Sequence, residues 1–411
     1  MEALYRCCAG LDVHKDTVVA CVRRLDEHGR AHEEIRTYGT MTGMLLTLAD
    51  WLLEAGVTHV AMESTGVYWK PVYHLLEGQF VLLLVNAQHI KQVPGRKTDV
   101  KDCAWIAQLL QYGLLKSSLV PPPFQRDLRD LTRQRTQLAA EQGRVAQRIQ
   151  KVLEDANIKL ASVATDVMGA SGRDMLRAMI AGTTDVKVLA ELAKGRLRAK
   201  IASLQQALAG RVTDHHRFML RVHLEHYEQL ETLSGQFTQR IEETLAPFAQ
   251  EVELLKTIPG IHDRTAEVLM AEIGPDLTPF ATAPHLASWA GMCPGNNESA
   301  GKRRSGRTRK GNQWLRSALV QAAWATTRTK DTYLSAHFRR LSVRRGRKRA
   351  LIAVSHSLLV IIYHVLTRRT PYQDLGGDYL DKLAPERLTQ QLVRRLERLG
   401  HRVTLTSLEA A

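Results

Sequence analysis

The chain has 411 residues, a formal net charge of +15 and a pI of about 9.7. Its length predicts roughly two to four domains, and its charge favours polyanionic partners, with nucleic acid ahead of an anionic membrane surface. The five cysteines contain no CxxC pair. This argues against a disulfide framework and a zinc ribbon, so a reducing cytoplasm is the expected compartment.

The sequence gives no sign of a membrane segment. No basic region followed by a long apolar stretch stands at the N-terminus, so no signal peptide is expected. The longest apolar run, residues 350–366, is short for a bilayer span, contains His356 and His364, and follows a dense basic segment. These features predict a buried helix and no membrane partner.

Residues 3–115 alternate between strand and helix signals. Three β-rich runs come first, followed by a helix, a short apolar strand, a second helix, a second apolar strand and a further helix from about Thr98. The resulting order, βββαβαβα, predicts an α/β domain with a mixed sheet and helices on its faces.

A helical region is predicted to follow. Apolar residues recur every seven positions at Leu131, Leu138, Val145 and Val152, with Leu128 and Ile149 on adjacent seam positions. A second amphipathic stretch carries Ile201, Leu204, Leu208, Met219, Val222, Leu230, Leu233, Phe237 and Ile241. The two stretches are compatible with an antiparallel hairpin or a dimer seam. Because Arg135 and Gln142 are polar residues on the first seam, a plain helical bundle is as good an interpretation as a coiled coil.

The C-terminal third is predicted to be mainly helical. Residues 254–274 indicate a helix, a tight Pro-Gly turn and a second helix. This pattern suits a helix-hairpin-helix element whose amides hold a phosphate backbone, and a purely structural turn is an equal alternative. The predicted domains are 1–125 (α/β), 126–248 (helical or coiled-coil), 249–370 (C-terminal domain) and 371–411 (a tail with one amphipathic helix).

Positive charge is concentrated between Asn296 and Lys348, a segment that contains fifteen Lys or Arg residues and only two acidic residues, Glu298 and Asp331. The stretch "PGNNESAGKRRSGRTRKGN" places one serine, Ser299, just before a basic run. The candidate nucleic-acid-binding residues are Lys302, Arg303, Arg304, Arg307, Arg309, Lys310 and Arg316. The cations favour phosphate binding, while the serine is open to two interpretations: a turn or phosphate ligand, or a nucleophile.

Four carboxylates stand out against this basic background. Asp12 follows the first apolar strand and Glu63 the fourth, while Asp99 and Asp102 lie three apart at the head of a helix. Together they are predicted to hold two divalent cations, and hard Mg²⁺ suits such an all-oxygen site. Taken singly, each has a simpler explanation, such as a turn residue, a solvated strand end or an acid at the positive end of a helix dipole.

The conjunction of these acids with the order of elements resembles the ribonuclease-H/RuvC-like fold. The segments "GLDVHKDT", "AMESTGVYW" and "KTDVKDCAWIA" resemble the motifs of DEDD-type bacterial insertion-sequence transposases. Further segments, "TIPGIHDRTAEVLMAEIG", "LASWAGMCPG" and "SAGKRRSGRTRKGNQWLRSAL", resemble the C-terminal transposase domain of the same family. Two departures are Cys103, where alanine is usual, and Ala300, where glycine is frequent.

The resemblance implies a function and a set of site residues. Asp12, Glu63, Asp99 and Asp102 would be the catalytic, Mg²⁺-binding tetrad, and Ser299 the serine that attacks a DNA phosphate. It also implies DNA partners, a noncoding guide RNA, a dimer or tetramer, and a cytoplasmic, nucleoid-associated location in a bacterium. Two alternatives stay open: a metal-dependent junction-resolving nuclease that uses water, and a noncatalytic nucleic-acid-binding scaffold.

Overall fold

Two compact units make up the chain, Met1–Pro121 and Pro122–Ala411. The computed structural model describes residues 3–64, 66–86, 102–295, 308 and 310–406, together with the backbone of 297–299 and 302–305. The predicted site residues Asp99, Arg307 and Arg309 lie outside the described residues. The predicted four-domain division stays a prediction.

The first unit contains a five-stranded sheet in the order β3-β2-β1-β4-β5. Its strands are β1 (Cys7–Val13), β2 (Thr17–Leu25), β3 (Ala31–Gly39), β4 (His59–Glu63) and β5 (Val81–Val85). The first three strands form an antiparallel meander, and β4 and β5 continue the sheet in parallel with β1. The described helices are α1 (Thr42–Glu54), α2 (Trp69–Leu76) and α3 (Asp102–Gln111).

Helices cover both faces of this sheet. Leu11 and Met62 belong to the core that includes α1 and α2 residues, whereas Cys8 and Ala61 pack with Trp105 and its neighbours from α3. Apolar runs in β1 and β4 follow from this burial on two faces, since neither strand has a solvated side. The predicted mixed sheet with helices on its faces is therefore confirmed.

The second unit is mostly helical. Its helices are α4 (Pro123–Asp155), α5 (Leu160–Val163), α6 (Ala170–Ile180), α7 (Val186–Glu191), α8 (Ile201–Ala207), α9 (Asp214–Leu245), α10 (Ala249–Lys256), α11 (Asp263–Ile273), α12 (Ala283–Trp289), α13 (Gln313–Thr326), α14 (Tyr333–Arg345), α15 (Arg347–Arg368), α16 (Tyr379–Lys382) and α17 (Pro385–Arg398). A short hairpin of β6 (Asn297–Ser299) and β7 (Lys302–Ser305) precedes α13.

The long helices α4 and α9 pack against each other in antiparallel fashion within the chain. Asp155 at the end of α4 contacts His216 at the start of α9, with 2.8 Å between carboxylate Oδ2 and Nε2. Near the other end, Leu128 of α4 shares a core with Ile241 of α9. The sevenfold repeat thus predicted a real helix, whereas the coiled-coil interpretation of the pair stays a prediction.

The second amphipathic stretch differs from its prediction in two respects. It is two helices, α8 and α9, because the chain leaves helical geometry between residues 208 and 213. In addition, Val222 and Leu233 are each 42% exposed, so they lie off the stripe of α9 that packs on α4. Arg135, a polar seam residue, is buried in an ion pair with Glu267 of α11, which explains why the seam tolerates it.

The predicted apolar helix is α15. By length and composition it is the one described helix able to cross a membrane. Its apolar face, however, lies in the core of the second unit, where Val354, Leu358 and Ile362 are fully buried beside α13 residues such as Leu319. We therefore interpret α15 as a core helix. The tail carries the predicted amphipathic helix, α17, which contains no buried residue.

Candidate functional site

Asp12 and Glu63 lie side by side on neighbouring parallel strands. Leu11 pairs with Met62 between β1 and β4, and each acid is the next residue along its strand. Side chains alternate along a strand, so both acids belong to the face opposite Leu11 and Met62. Asp12 is 24% exposed. The fold thus brings these two acids together at one end of the sheet, on the face that carries α3.

Gly10 explains how α3 reaches the same region. A Cβ atom at Gly10 would lie 2.3 Å from the carbonyl oxygen of Cys103 and 2.4 Å from the backbone nitrogen of Ala107. The α3 backbone therefore rests directly on β1, two residues before Asp12. Because α3 begins at Asp102, this contact carries a third predicted acid to the face occupied by Asp12 and Glu63.

The donor chemistry at this end of the sheet suits a hard divalent cation. Asp12, Glu63 and Asp102 offer only carboxylate oxygens, the ligands that Mg²⁺ prefers. Within the described part of the chain, no group of three or more His, Cys, Asp or Glu residues is placed to hold a metal ion. The fourth predicted ligand, Asp99, lies outside that part. The metal site and its ligands therefore stay a prediction.

His14 is the one neighbour of this region with a defined side-chain contact to Asp12 among the described residues. Its Nε2 lies 3.1 Å from Asp12 Oδ2, and its side chain is 59% exposed. An exposed imidazole can rotate away at little cost, so the contact does not close access to the carboxylate. We interpret His14 as a solvated hydrogen-bonding partner of Asp12.

Ser299 ends β6 in the second unit. The hairpin register pairs Ser299 with Lys302 and Glu298 with Arg303, and it contains an irregularity between Asn297 and Glu298. At the base of the hairpin, an isolated bridge joins Pro294 to Thr308. The backbone therefore sets the predicted serine directly opposite a basic residue. Of the other predicted cations, Lys310 is exposed and Arg316 is half-buried on α13.

A buried charge network anchors the chain just after this hairpin. Glu272 on α11 has no exposed surface, and both of its carboxylate oxygens accept hydrogen bonds of 2.8 Å from Arg133 of α4. Asn312 also donates to Glu272, at 2.5 Å, while its Oδ1 accepts from the amides of Trp314 and Leu315. The acid therefore ties the N-terminal cap of α13 to two other helices.

Two further contacts strengthen this anchor. Arg129 donates hydrogen bonds to the backbone carbonyls of Ala271 and Glu272. Burial lowers the pKa of Arg129, and the charge of Glu272 opposes this effect only in part. A Cβ atom at Gly311 would lie 2.4 Å from the carbonyl oxygen of Ala290. The segment that leaves the hairpin is thus packed backbone to backbone against the segment that enters it.

The predicted helix-hairpin-helix turn has a packing role that its sequence did not reveal. Gly260 adopts a φ of +84°, and a Cβ atom there would lie 2.5 Å from the carbonyl oxygen of Ala322 on α13. Glycine is therefore required by both the backbone conformation and the close approach of a helix. Whether the amides of this turn also bind a phosphate stays a prediction.

Two features of the structure, the close approach at Gly10 and the Glu272 network, were not predicted from the sequence. A glycine inside the apolar run "CCAGLDV" was a usable signal, because a strand glycine often marks close backbone approach. Glu272 carried no local signal. Its partners Arg133 and Asn312 are 139 and 40 residues away, and only the folded chain brings them together.

Comparisons with known proteins agree with this architecture. A family model of DEDD-type transposases matches residues 9–158, and a model described as "Transposase IS116/IS110/IS902 family" matches residues 252–339. The chain is 33% identical over 122 residues to the pilin gene-inverting protein of Moraxella bovis, which is 29% of this chain and 38% of that protein. It is 30% identical over 128 residues to the transposase for insertion sequence element IS1111A of Coxiella burnetii, 30% of this chain and 35% of that protein.

A third relative is the insertion element IS110 uncharacterized 43.6 kDa protein of Streptomyces coelicolor, 29% identical over 150 residues, which is 36% of this chain and 35% of that protein. The matched segments thus span little more than a third of these relatives. An RNase H-like α/β unit is followed in the chain by a mostly helical unit, and two transposase family models match the chain in that order. The chain belongs to the DEDD-type insertion-sequence transposases.

Proposed function

We propose that this protein cuts and rejoins DNA as the transposase or site-specific recombinase of an insertion sequence. The observation that carries the proposal is the register that makes Asp12 and Glu63 neighbours, on the sheet face where α3 begins at Asp102. Acids converging on one end of a sheet are suited to holding divalent metal for phosphoryl transfer. Asp99 completes the proposed tetrad by sequence position.

The metal, proposed as Mg²⁺, would polarise the scissile phosphate and neutralise charge that develops on its oxygens. In the proposed step, Ser299 Oγ bonds to phosphorus as a DNA phosphodiester P–O bond breaks. The serine proton passes to a base, and the leaving DNA oxygen takes up a proton. Lys302, opposite Ser299 in the hairpin register, supports a role in neutralising the phosphate.

The remaining hairpin cations, Arg303, Arg304, Arg307 and Arg309, together with Lys310 and Arg316, are proposed to bind the DNA backbone. A guide RNA, an oligomeric state of two or four subunits and a cytoplasmic, nucleoid-associated location belong to the same proposal. They are supported by family membership alone. Isolation of the protein from its host followed by sequencing of bound RNA tests the guide, and light scattering tests the subunit number.

The decisive experiment incubates the protein with labelled element-end DNA and Mg²⁺ and resolves the products on denaturing gels. Wild type is expected to give a protein–DNA adduct that survives denaturation. Ser299→Ala is expected to remove the adduct, whereas Ser305→Ala, in β7 of the same hairpin, keeps it. An adduct that persists in Ser299→Ala refutes the serine nucleophile.

A second candidate is a metal-dependent nuclease that uses water as nucleophile. One observation favours it. The contacts that bring the acids of the first unit together lie within that unit and involve no residue of the hairpin. The same gels separate the candidates, because a water-dependent nuclease keeps cleaving after Ser299→Ala and never forms an adduct. Asp12→Asn should abolish cleavage under either mechanism. A noncatalytic scaffold would give no cleavage products, and its salt-sensitive DNA binding would need no divalent metal and would be unchanged in Asp12→Ala.

A further inference from the structure

Trp324 has an exposed aromatic ring beside Arg347, and Arg347 belongs to a run of cations in the sequence. Trp324 lies on α13 and is 41% exposed, an unusual degree for a tryptophan. The guanidinium of Arg347, at the start of α15, lies over this ring with 5.8 Å from Cζ to the ring centroid. Five basic residues flank the junction of α14 and α15: Arg344, Arg345, Arg347, Lys348 and Arg349. All five are exposed.

These cations are not neutralised within the described part of the chain. None of the five forms an ion pair with a carboxylate there, although arginines elsewhere in the second unit commonly do, as Arg173 does with Glu231 and Arg177 with Glu228. The first turn of α15 contains no acidic residue. Cations at a helix N-terminus are also electrostatically unfavourable, so this surface retains strong positive potential. Such a surface suits a polyanion.

The ring narrows the choice of polyanion. In a duplex the bases are stacked on one another, and a phosphate-binding surface needs no exposed aromatic residue. In a single strand the bases are available, and stacking on an aromatic side chain beside backbone-binding cations is the usual mode of recognition. Trp324 lies outside the core formed by its neighbours Ala322 and Ala323, and it stays exposed to solvent even with Arg347 over its ring.

We propose that the surface formed by Trp324, Arg344, Arg345, Arg347 and Lys348 binds single-stranded nucleic acid, with a base stacked on Trp324. The cations hold the phosphates on either side. This site is separate in sequence from the Ser299 hairpin. It rests on the proposed function only in that an enzyme that opens DNA encounters unpaired strands.

The test measures binding of fluorescently labelled oligothymidylate and of a duplex of equal length by anisotropy, without divalent metal. Trp324→Ala is expected to weaken oligothymidylate binding about 10-fold and to leave duplex binding within about 2-fold. Trp324→Phe should retain most of the affinity, since a ring remains. Phe218→Ala is the matched control, because Phe218 is 52% exposed and also has an arginine, Arg221, 5.7 Å from its ring centroid. It should bind like wild type.

A second variant tests the cations. Arg344→Gln combined with Arg345→Gln should weaken both ligands and reduce the slope of log affinity against log salt by about 1.4 for the single strand. The proposal is overturned if Trp324→Ala binds oligothymidylate as tightly as wild type does. It is also overturned if Trp324→Ala loses as much affinity for the duplex as for oligothymidylate. The binding assay needs neither metal nor cleavage. Its result is therefore independent of whether the gel experiment supports the proposed chemistry.

Discussion

Asn312 donates a hydrogen bond of 2.5 Å from Nδ2 to Oε2 of Glu272, a carboxylate with no exposed surface. Through the same acid, Arg133 of α4 is bound in a bidentate pair. Because Asn312 also caps α13, the position at which the chain leaves the basic hairpin is fixed to α4 and α11. The chain that follows the Ser299 hairpin is therefore anchored at Asn312.

Glu272→Ala should sharply destabilise the second unit. The change removes the fully buried carboxylate that pairs with the partly buried Arg129 and Arg133, and loss of one partner of a buried ion pair costs about 3–5 kcal/mol. The matched control is Glu253→Ala, which breaks a solvent-exposed pair with Lys256 and should cost far less, because surface ion pairs contribute little to stability. Urea unfolding of both variants measures the difference. Equal losses would show that the buried network contributes little beyond a surface ion pair.

Gly10 and Gly143 should respond to alanine in opposite directions. At Gly10 a methyl group would meet backbone atoms of Cys103 and Ala107 at 2.3 and 2.4 Å, so Gly10→Ala must push α3 away from β1. Overpacking of this kind costs about 1–3 kcal/mol or more. Gly143 lies within α4 with no atom within 4 Å of an added Cβ, so Gly143→Ala should stabilise by about 0.5–1 kcal/mol.

Thermal unfolding followed by circular dichroism gives the stability of both glycine variants. Metal-dependent cleavage provides a second measurement, because displacement of α3 moves Asp102 relative to Asp12. Cleavage should fall in Gly10→Ala and stay unchanged in Gly143→Ala. A Gly10→Ala protein as stable and active as wild type would contradict the direct contact between β1 and α3.

The sequence predicted the first unit well for a physical reason. Apolar strands buried on two faces, and acids at strand ends, are both local signals, so the element order and the neighbouring positions of Asp12 and Glu63 could be inferred. The second unit was harder to predict. Periodicity indicates which side of a helix is apolar but not whether a partner covers it, and Val222 and Leu233 are therefore exposed despite fitting the pattern.

Two half-buried histidines should make stability depend on pH. Burial lowers the pKa of His356, and burial together with Arg340 lowers that of His337. A group whose folded pKa is lowered prefers the neutral form in the folded state. Its stability contribution is therefore complete above the ordinary histidine pKa of about 6.5 and declines as pH falls below it. Wild type should lose stability progressively on acidification in this range.

Replacement of these histidines with glutamine should reduce that loss. We expect the unfolding midpoint of the His337→Gln, His356→Gln double variant to change less between about pH 7 and pH 5.5 than that of wild type. His28→Gln is the control, because His28 lies in the exposed turn between β2 and β3. A double variant with the wild-type pH profile would show that other groups cause the acid sensitivity.

The thiols of Cys8 and Cys21 should resist alkylation in the folded protein. Burial raises the pKa of each to about 12, with smaller contributions from neighbouring groups. Both residues lie on central strands with no exposed surface, and only the thiolate is a competent nucleophile. Cys293 is only partly buried and serves as the internal comparison.

Iodoacetamide labelling at about pH 8, followed by peptide mass spectrometry, should therefore modify Cys293 long before Cys8 or Cys21. Guanidinium should equalise the rates. Fast labelling of Cys8 without denaturant would mean that the sheet opens in the native state, since its thiol packs beneath α3.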